Sequence, residues 1–248
     1  MRIIRVTYRL MYFMAYTLRI VAEVYWRKVI LRSDQHTVMA VRRRWARRVL
    51  RRVGVLVTEE GVPPDFPCLL LANHRSYLDP ILILRNVDAF PVAKAELANW
   101  PLIGKGARWA GILYVQRNQG ASRVSTLKAI SDTVLVRNFS VILFPEGTTS
   151  DLPGMLPFKS GGIKTAVKNN LPVVPVAICF SDNRDFWVGE IGFMEHAWQR
   201  FQEKKIDVRV VYGPKMEADD SVKLEQEVRN WIEAQLLKFS KNGIAVSH

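Results

Sequence analysis

The sequence predicts an α/β fold: a mostly parallel sheet of about seven strands flanked by helices, preceded by a basic amphipathic two-helix segment. Three observations carry this. Beyond about residue 56, short runs rich in Val, Ile and Leu alternate with stretches of helical period, the pattern of strands buried on both faces and joined by helical crossovers. The chain has 248 residues, 49% of them apolar, which suits one sizeable core plus an appendage. The charge is uneven. Residues 1–55 hold 14 Lys or Arg against Glu23 and Asp34, a balance of +12, whereas the remaining 193 residues are nearly neutral at +1. Two parts follow, a helical segment over 1–55 and an α/β domain over 56–248.

The first helix places Arg2, Arg5, Arg9, Tyr12, Tyr16, Arg19, Glu23 and Arg27 at steps of three and four, forming one stripe. Ile3, Leu10, Phe13, Met14, Val21, Ala22, Val24 and Tyr25 fall elsewhere and give a broad apolar surface. A second helix, about 37–52, sets Val38, Val41, Trp45 and Val49 at helical spacing amid seven arginines. Basic, aromatic-bearing amphipathic helices suit the headgroup boundary of an anionic membrane. A spanning helix is disfavoured: the longest uncharged run, Leu10 to Leu18, has nine residues, against the roughly 20 needed. The alternative is a helical pair packed on its own domain.

Strands are expected at Val53–Val57, Pro67–Leu71, Ala89–Val92, Ile112–Val115, Ser140–Phe144, Val173–Cys179 and Ile206–Tyr212. Between Thr58 and Pro67 a loop is expected. Helices fit Pro80–Arg85, Ala121–Arg137, Gly161–Asn169 and Ser221–Lys241, the last with Leu224, Val228, Trp231, Ile232, Leu236 and Phe239 on a core-facing stripe.

The polar residues that carry chemistry fall at strand ends, where open α/β sheets bind ligands. Asn73-His74-Arg75-Ser76-Tyr77-Leu78-Asp79 follows the apolar run Cys68 to Ala72, and Asp79-Pro80 reads as an N-cap followed by proline at the first helical position. On one helix, a spacing of five would put His74 and Asp79 on different faces. A strand-to-helix turn can instead fold the carboxylate onto the imidazole. The carboxylate then fixes the tautomer while the other ring nitrogen takes a proton from a hydroxyl. Ser76 lacks the Gly-x-Ser-x-Gly setting of a nucleophile elbow, so the base is expected to act on the substrate's own hydroxyl or on water.

Further blocks follow in order: Ala110 to Arg117, then Phe144-Pro145-Glu146-Gly147-Thr148-Thr149-Ser150, then Leu171 to Ile178. With the histidine block they resemble the four sequence blocks of the glycerolipid acyltransferases, specifically the 1-acylglycerol-3-phosphate acyltransferase family. The resemblance runs from about Cys68 to Ile178 and includes Ala93 to Leu97 and Pro101 to Gly104. It implies transfer of an acyl group from an acyl thioester to the free hydroxyl of 1-acylglycerol-3-phosphate, giving phosphatidic acid. His74 is then the general base and Asp79 orients it. The substrate-binding residues are Arg117, Glu146, Gly147, Thr148 and Thr149, and Val174, Pro175 and Val176 shape the acyl-donor region. No cofactor is implied; the co-substrate is a thioester of acyl-carrier protein or coenzyme A. Partners are anionic membrane lipids and a lysophospholipid acceptor, with the protein held on the cytoplasmic face of a membrane by residues 1–55.

Two positions depart from the family pattern. Thr149 stands where an arginine usually follows Glu-Gly-Thr, and Gln116 stands where an aspartate usually precedes the arginine. The missing guanidinium removes one phosphate contact, so lyso-ornithine lipid and other lysolipids are competing acceptors; Lys159 is near enough in sequence to replace the charge. A competing function of another class is a non-enzymatic membrane-surface binding protein. Nucleic acid is not expected, because no motif for it accompanies the arginines. Cys68 and Cys179, each in an apolar run, indicate no disulfide framework, and His36, His196 and His248 have no zinc-ligand spacing. No small-residue cleavage site marks a secretory signal.

Overall fold

A computed structural model describes residues 1–99, 109–116 and 119–244. Seven strands form one sheet: β1 (Val55–Glu60), β2 (Leu69–Ala72), β3 (Ala89–Lys94), β4 (Leu113–Val115), β5 (Ser140–Leu143), β6 (Val173–Phe180) and β7 (Ile206–Tyr212). Among the described residues, seven α-helices accompany them: α1 (Arg2–Tyr25), α2 (Gln35–Val53), α3 (Asp79–Leu84), α4 (Gly120–Leu135), α5 (Gly161–Lys168), α6 (Phe193–Arg200) and α7 (Ser221–Ile244). A π-helical turn, Trp26–Ile30, continues α1.

The strand order is β1-β7-β6-β2-β5-β3-β4. Pairings among the described strands are parallel except β6 with β7, so β1 and β7 run against the other five. β2 is central and buried throughout, between β5 and β6. Its side chains divide by parity, as a pleated strand requires. Leu70 and Ala72 join the cluster under α1, α2 and α3, while Leu69 and Leu71 join that under α4, α5 and α7.

The helix pair does not stand apart from this core. Val6, Leu10, Ile20 and Val24 of α1 and Val38, Val49 and Val53 of α2 share one buried cluster with Leu70, Val176 and Val210 of the sheet. The border near residue 55 is therefore a border in charge, not in packing. α2 starts at Asp34, whose side chain accepts from the Thr37 amide at 2.7 Å. It ends at Gly54, a left-handed C-cap with φ 88°. The strand expected from Val53 consequently begins at Val55 and runs to Glu60, shortening the expected loop.

The charged stripe of α1 also differs from its helical-wheel assignment. Arg9 is buried, donating to the carbonyls of Phe201 at 3.0 Å, Glu203 at 2.6 Å and Lys204 at 2.9 Å, while Arg5 reaches Gln202 O at 2.7 Å. The unpaired carbonyls after α6 attract these cations inward, and Gly54 leaves the space: a Cβ there would lie 2.0 Å from Arg9 Nη2. Burial, and then Arg5 nearby, lower the Arg9 pKa. Apolar residues also face outward on α1, with Ile4, Tyr8, Met11 and Leu18 exposed along one arc bordered by the exposed Arg19. Among the described residues, no helix is long and apolar enough to cross a membrane.

Replacing Arg9 by Met strands three carbonyls at the α1 docking site. We expect a loss of about 2–4 kcal/mol in chemical denaturation, since hydrogen bonds to charged groups carry roughly 1.5–3 kcal/mol each and do not add fully.

Candidate active site

Register explains why two distant segments meet. Leu71 of β2 pairs with Leu143 of β5; three residues further along each chain stand His74 and Glu146. Leu71 also pairs with Pro175 of β6, which brings Asn73 against Ile178. The Asn73 side chain donates to Ile178 O at 2.9 Å and accepts from Ile178 N at 2.8 Å, tying the end of β2 to β6.

The turn then folds around one carboxylate oxygen. Asp79 Oδ2 lies 2.8 Å from His74 Nδ1 and accepts the amides of Arg75 at 2.6 Å and Ser76 at 2.8 Å. Asp79 was expected to cap the following helix. It is instead the first helical residue, no side-chain cap bond forms, and the carboxylate points back into the turn, where the imidazole and two amides outcompete the amides ahead. An acceptor at Nδ1 makes that nitrogen the N–H donor and leaves the Nε2 lone pair for a substrate proton. The imidazole stacks on Phe144 with centroids 4.1 Å apart and planes at 19°.

Glu146 has an interior position. It is 3% exposed, with Oε1 accepting the His74 amide at 2.9 Å and Oε2 the Leu156 amide at 2.8 Å. Both bonds are to backbone amides, one in the His74 turn and one in the loop after β5, where the sequence placed this side chain on the head group. Burial raises its pKa above the ordinary 4.5, opposed by the Leu156 and His74 amides and then by Arg75 and His74. Arg75 laces the same loop, donating to Ser150 O at 2.6 Å and Gly154 O at 2.7 Å, while the Ser150 amide returns a bond to His74 O at 3.2 Å. Asn73 and Arg75 were not singled out by sequence reasoning. Their partners are main-chain groups, which no side-chain pattern reveals.

A cavity of about 1090 Å³ is lined by His74. Part of its wall is apolar and comes from both N-terminal helices and α3, including Phe13, Ile20, Trp45, Val49, Leu78 and Leu84. Another part holds Lys94, Arg123, Gly147, Thr148, Thr149 and Lys159. Gly147 has φ 74°, and a Cβ there would lie 2.6 Å from Lys159 Nζ, so glycine admits the ammonium beside the threonines. Of the expected substrate residues, Gly147, Thr148 and Thr149 reach the cavity, and Arg117 lies outside the described residues. Val174, Pro175 and Val176 sit inside β6, with Val174 and Val176 buried in the core, and none is among the described lining residues. A strand flanked by β2 and β7 has no free edge to offer a ligand.

A family model described as Acyltransferase matches residues 54–179. The chain is 28% identical over 198 residues to the 1-acyl-sn-glycerol-3-phosphate acyltransferase alpha of Ovis aries, covering 77% of this chain and 66% of that protein, just under two thirds of its length. It is 29% identical over 187 residues to the 1-acyl-sn-glycerol-3-phosphate acyltransferase of Neisseria meningitidis serogroup B, covering 71% of this chain and 73% of that one. The fold is similar to the crystal structure of the 1-acyl-sn-glycerophosphate (LPA) acyltransferase PlsC from Thermotoga maritima, with TM-score 0.76 and 20% identity over 97% of this chain and 98% of that chain.

Glu146→Gln keeps one acceptor oxygen and loses the other. We expect kcat to fall roughly 10- to 100-fold, the equivalent of about 1–3 kcal/mol for one unmade buried bond. The pH dependence has a defined sign. With the folded pKa raised, the stability from the protonated carboxyl is complete below the ordinary 4.5 and is lost as pH rises through the raised value. Denaturation of wild type across that window shows this loss, and the glutamine variant lacks it.

Proposed function

We propose that this chain, which belongs to the acyltransferase family, is an O-acyltransferase that moves an acyl group from a thioester to the free hydroxyl of 1-acylglycerol-3-phosphate, giving phosphatidic acid. The observation that carries the reading is the His74 Nδ1 to Asp79 Oδ2 contact of 2.8 Å on a histidine lining a large, partly apolar cavity. Nε2 takes the hydroxyl proton as the oxygen attacks the thioester carbonyl; the C–S bond breaks and the proton passes to the departing sulfur. General base catalysis of this kind contributes typically 10²- to 10⁴-fold. Asp79 steadies the imidazolium formed in the step.

The apolar wall suits the acyl chain, and Lys94, Arg123 and Lys159 suit an anionic head group. Lys159 supplies a positive charge beside Thr149, where the guanidinium is missing, though as a point charge without a bidentate fork. That difference favours a second acceptor, lyso-ornithine lipid or another lysolipid. The donor is a thioester of coenzyme A or of acyl-carrier protein. The protein works on the cytoplasmic face of a membrane, with Ile4, Tyr8, Met11 and Leu18 of α1 dipping into the headgroup boundary and the exposed arginines of α2, Arg48, Arg51 and Arg52 among them, facing anionic lipids.

A panel of lysolipids with labelled acyl thioester tests the reaction. Transfer to 1-acylglycerol-3-phosphate, reduced about 10²- to 10⁴-fold by His74→Ala, is expected; Lys159→Met should raise KM for phosphate-bearing acceptors alone. Absence of transfer to every lysolipid, or full activity of His74→Ala, defeats the proposal. For the membrane role, the paired change Ile4→Glu and Met11→Glu should weaken binding to anionic vesicles without altering the melting temperature. Unaltered binding argues against it.

A further inference from the structure

Among the described residues, the cavity wall includes a charged group far from the imidazole. Arg42, on the middle of α2, lines the cavity yet is only 4% exposed. Its Nη1 donates to Ala110 O at 2.7 Å, while Nε and Nη2 have no partner among the described residues. The nearby charges are Asp88, which attracts it, and Arg43, which repels it; Asp88 is itself paired with Arg43. Burial pushes the Arg42 pKa down to about 9. Unmet donors on a buried cation are destabilising, so the fold alone gives no reason for them.

Sheet register locates Arg42 relative to the chemistry. Leu71 pairs with Leu143, Pro91 with Ile142 and Val92 with Leu113, so Leu71, Leu143, Val92 and Leu113 lie in one row. His74 stands three residues beyond that row, and Ala110, which holds Arg42, stands three residues before it. Six residues at about 3.3 Å along the strands, shortened by the turn at Gly111, and three strand spacings of about 4.8 Å across the sheet give roughly 20–25 Å. Ile20, Val24, Trp45, Val49 and Leu84 line the space. An extended chain advances about 1.2 Å per bond, a third of the span of an extended residue, so a tail of roughly 17 to 21 carbons reaches Arg42 from the reacting carbonyl.

We propose that Arg42 is a specificity residue at the distal end of the acyl channel, whose Nε and Nη2 bind an oxygen atom at the tail end of the acyl chain. The inference rests on the cavity taking that chain, as argued above. A methyl end at this position leaves the guanidinium donors unmet, whereas a hydroxyl oxygen accepts from them. Sites built to hydrogen-bond a substrate group reject analogues lacking it far more strongly than apolar pockets reject an extra hydroxyl.

The test uses coenzyme A thioesters of about 8 and about 18 carbons, too short and long enough to span the channel by the estimate above, each ending in methyl or in hydroxyl. Wild type should prefer the long hydroxyl-ended chain over its methyl-ended partner by about 10-fold or more in kcat/KM. Arg42→Met should invert that ratio, and short chains should show none. The same ratio in wild type and Arg42→Met overturns the proposal. Arg42→Lys keeps the charge and loses the fork, so it should weaken the preference even if the methionine variant fails to fold; an undiminished preference in it also overturns the proposal. Equilibrium binding of the same thioesters to His74→Ala protein separates the two readings. A tail-hydroxyl preference in binding, with no transfer by wild type, supports the Arg42 site while the transfer reaction falls; no preference in binding overturns the site.

Discussion

One oxygen atom organises the centre of this molecule. Asp79 Oδ2 gathers the His74 ring nitrogen and the amides of Arg75 and Ser76, and Asp79 is wholly buried. A buried carboxylate left short of donors is costly, so the turn has little freedom to open without losing all three contacts together. The tautomer of His74, the path of the backbone and the start of α3 are set by one group. The Pro80 ring fits here because the first helical turn needs no amide donor at that position.

Around that centre the sheet acts as a ruler in register. β2 and β5 are parallel neighbours, so equal distances past the paired residues Leu71 and Leu143 bring the imidazole and the Glu146 carboxylate to the same height. The loop after β5 is then bound from two sides, through the Glu146 contacts with His74 and Leu156 and through Arg75 with Ser150 and Gly154. Charge is thereby spent on holding main chain in place, while Lys94, Arg123 and Lys159 line the cavity.

The fold was readable where burial leaves a periodic mark. Val173 to Cys179 was located because a strand buried on both faces shows as an apolar run, and Ile206 to Tyr212 because apolar residues alternate with Asp207 and Arg209 before a closing apolar run. Such runs carry no direction, which is why the reversal of β1 and β7 could not be read. α6 left little mark, since eight residues contain barely two turns of pattern. The His74 and Asp79 pair was legible because proline and strand composition bracket its turn. The interior course of Arg9 and of Arg42 was not, because a helical wheel assigns every arginine to the wet face and is blind to carbonyls waiting at a distant loop.

α1 presents apolar residues on two sides at once. Phe13, Ile20 and Val24 form part of the cavity wall, and Ile4, Tyr8, Met11 and Leu18 face away from the protein. One helix thus serves as inner wall and outer surface together, so a substitution on it is constrained from both sides, and the carbonyl clasp around Arg9 ties its N-terminal half to the segment after α6.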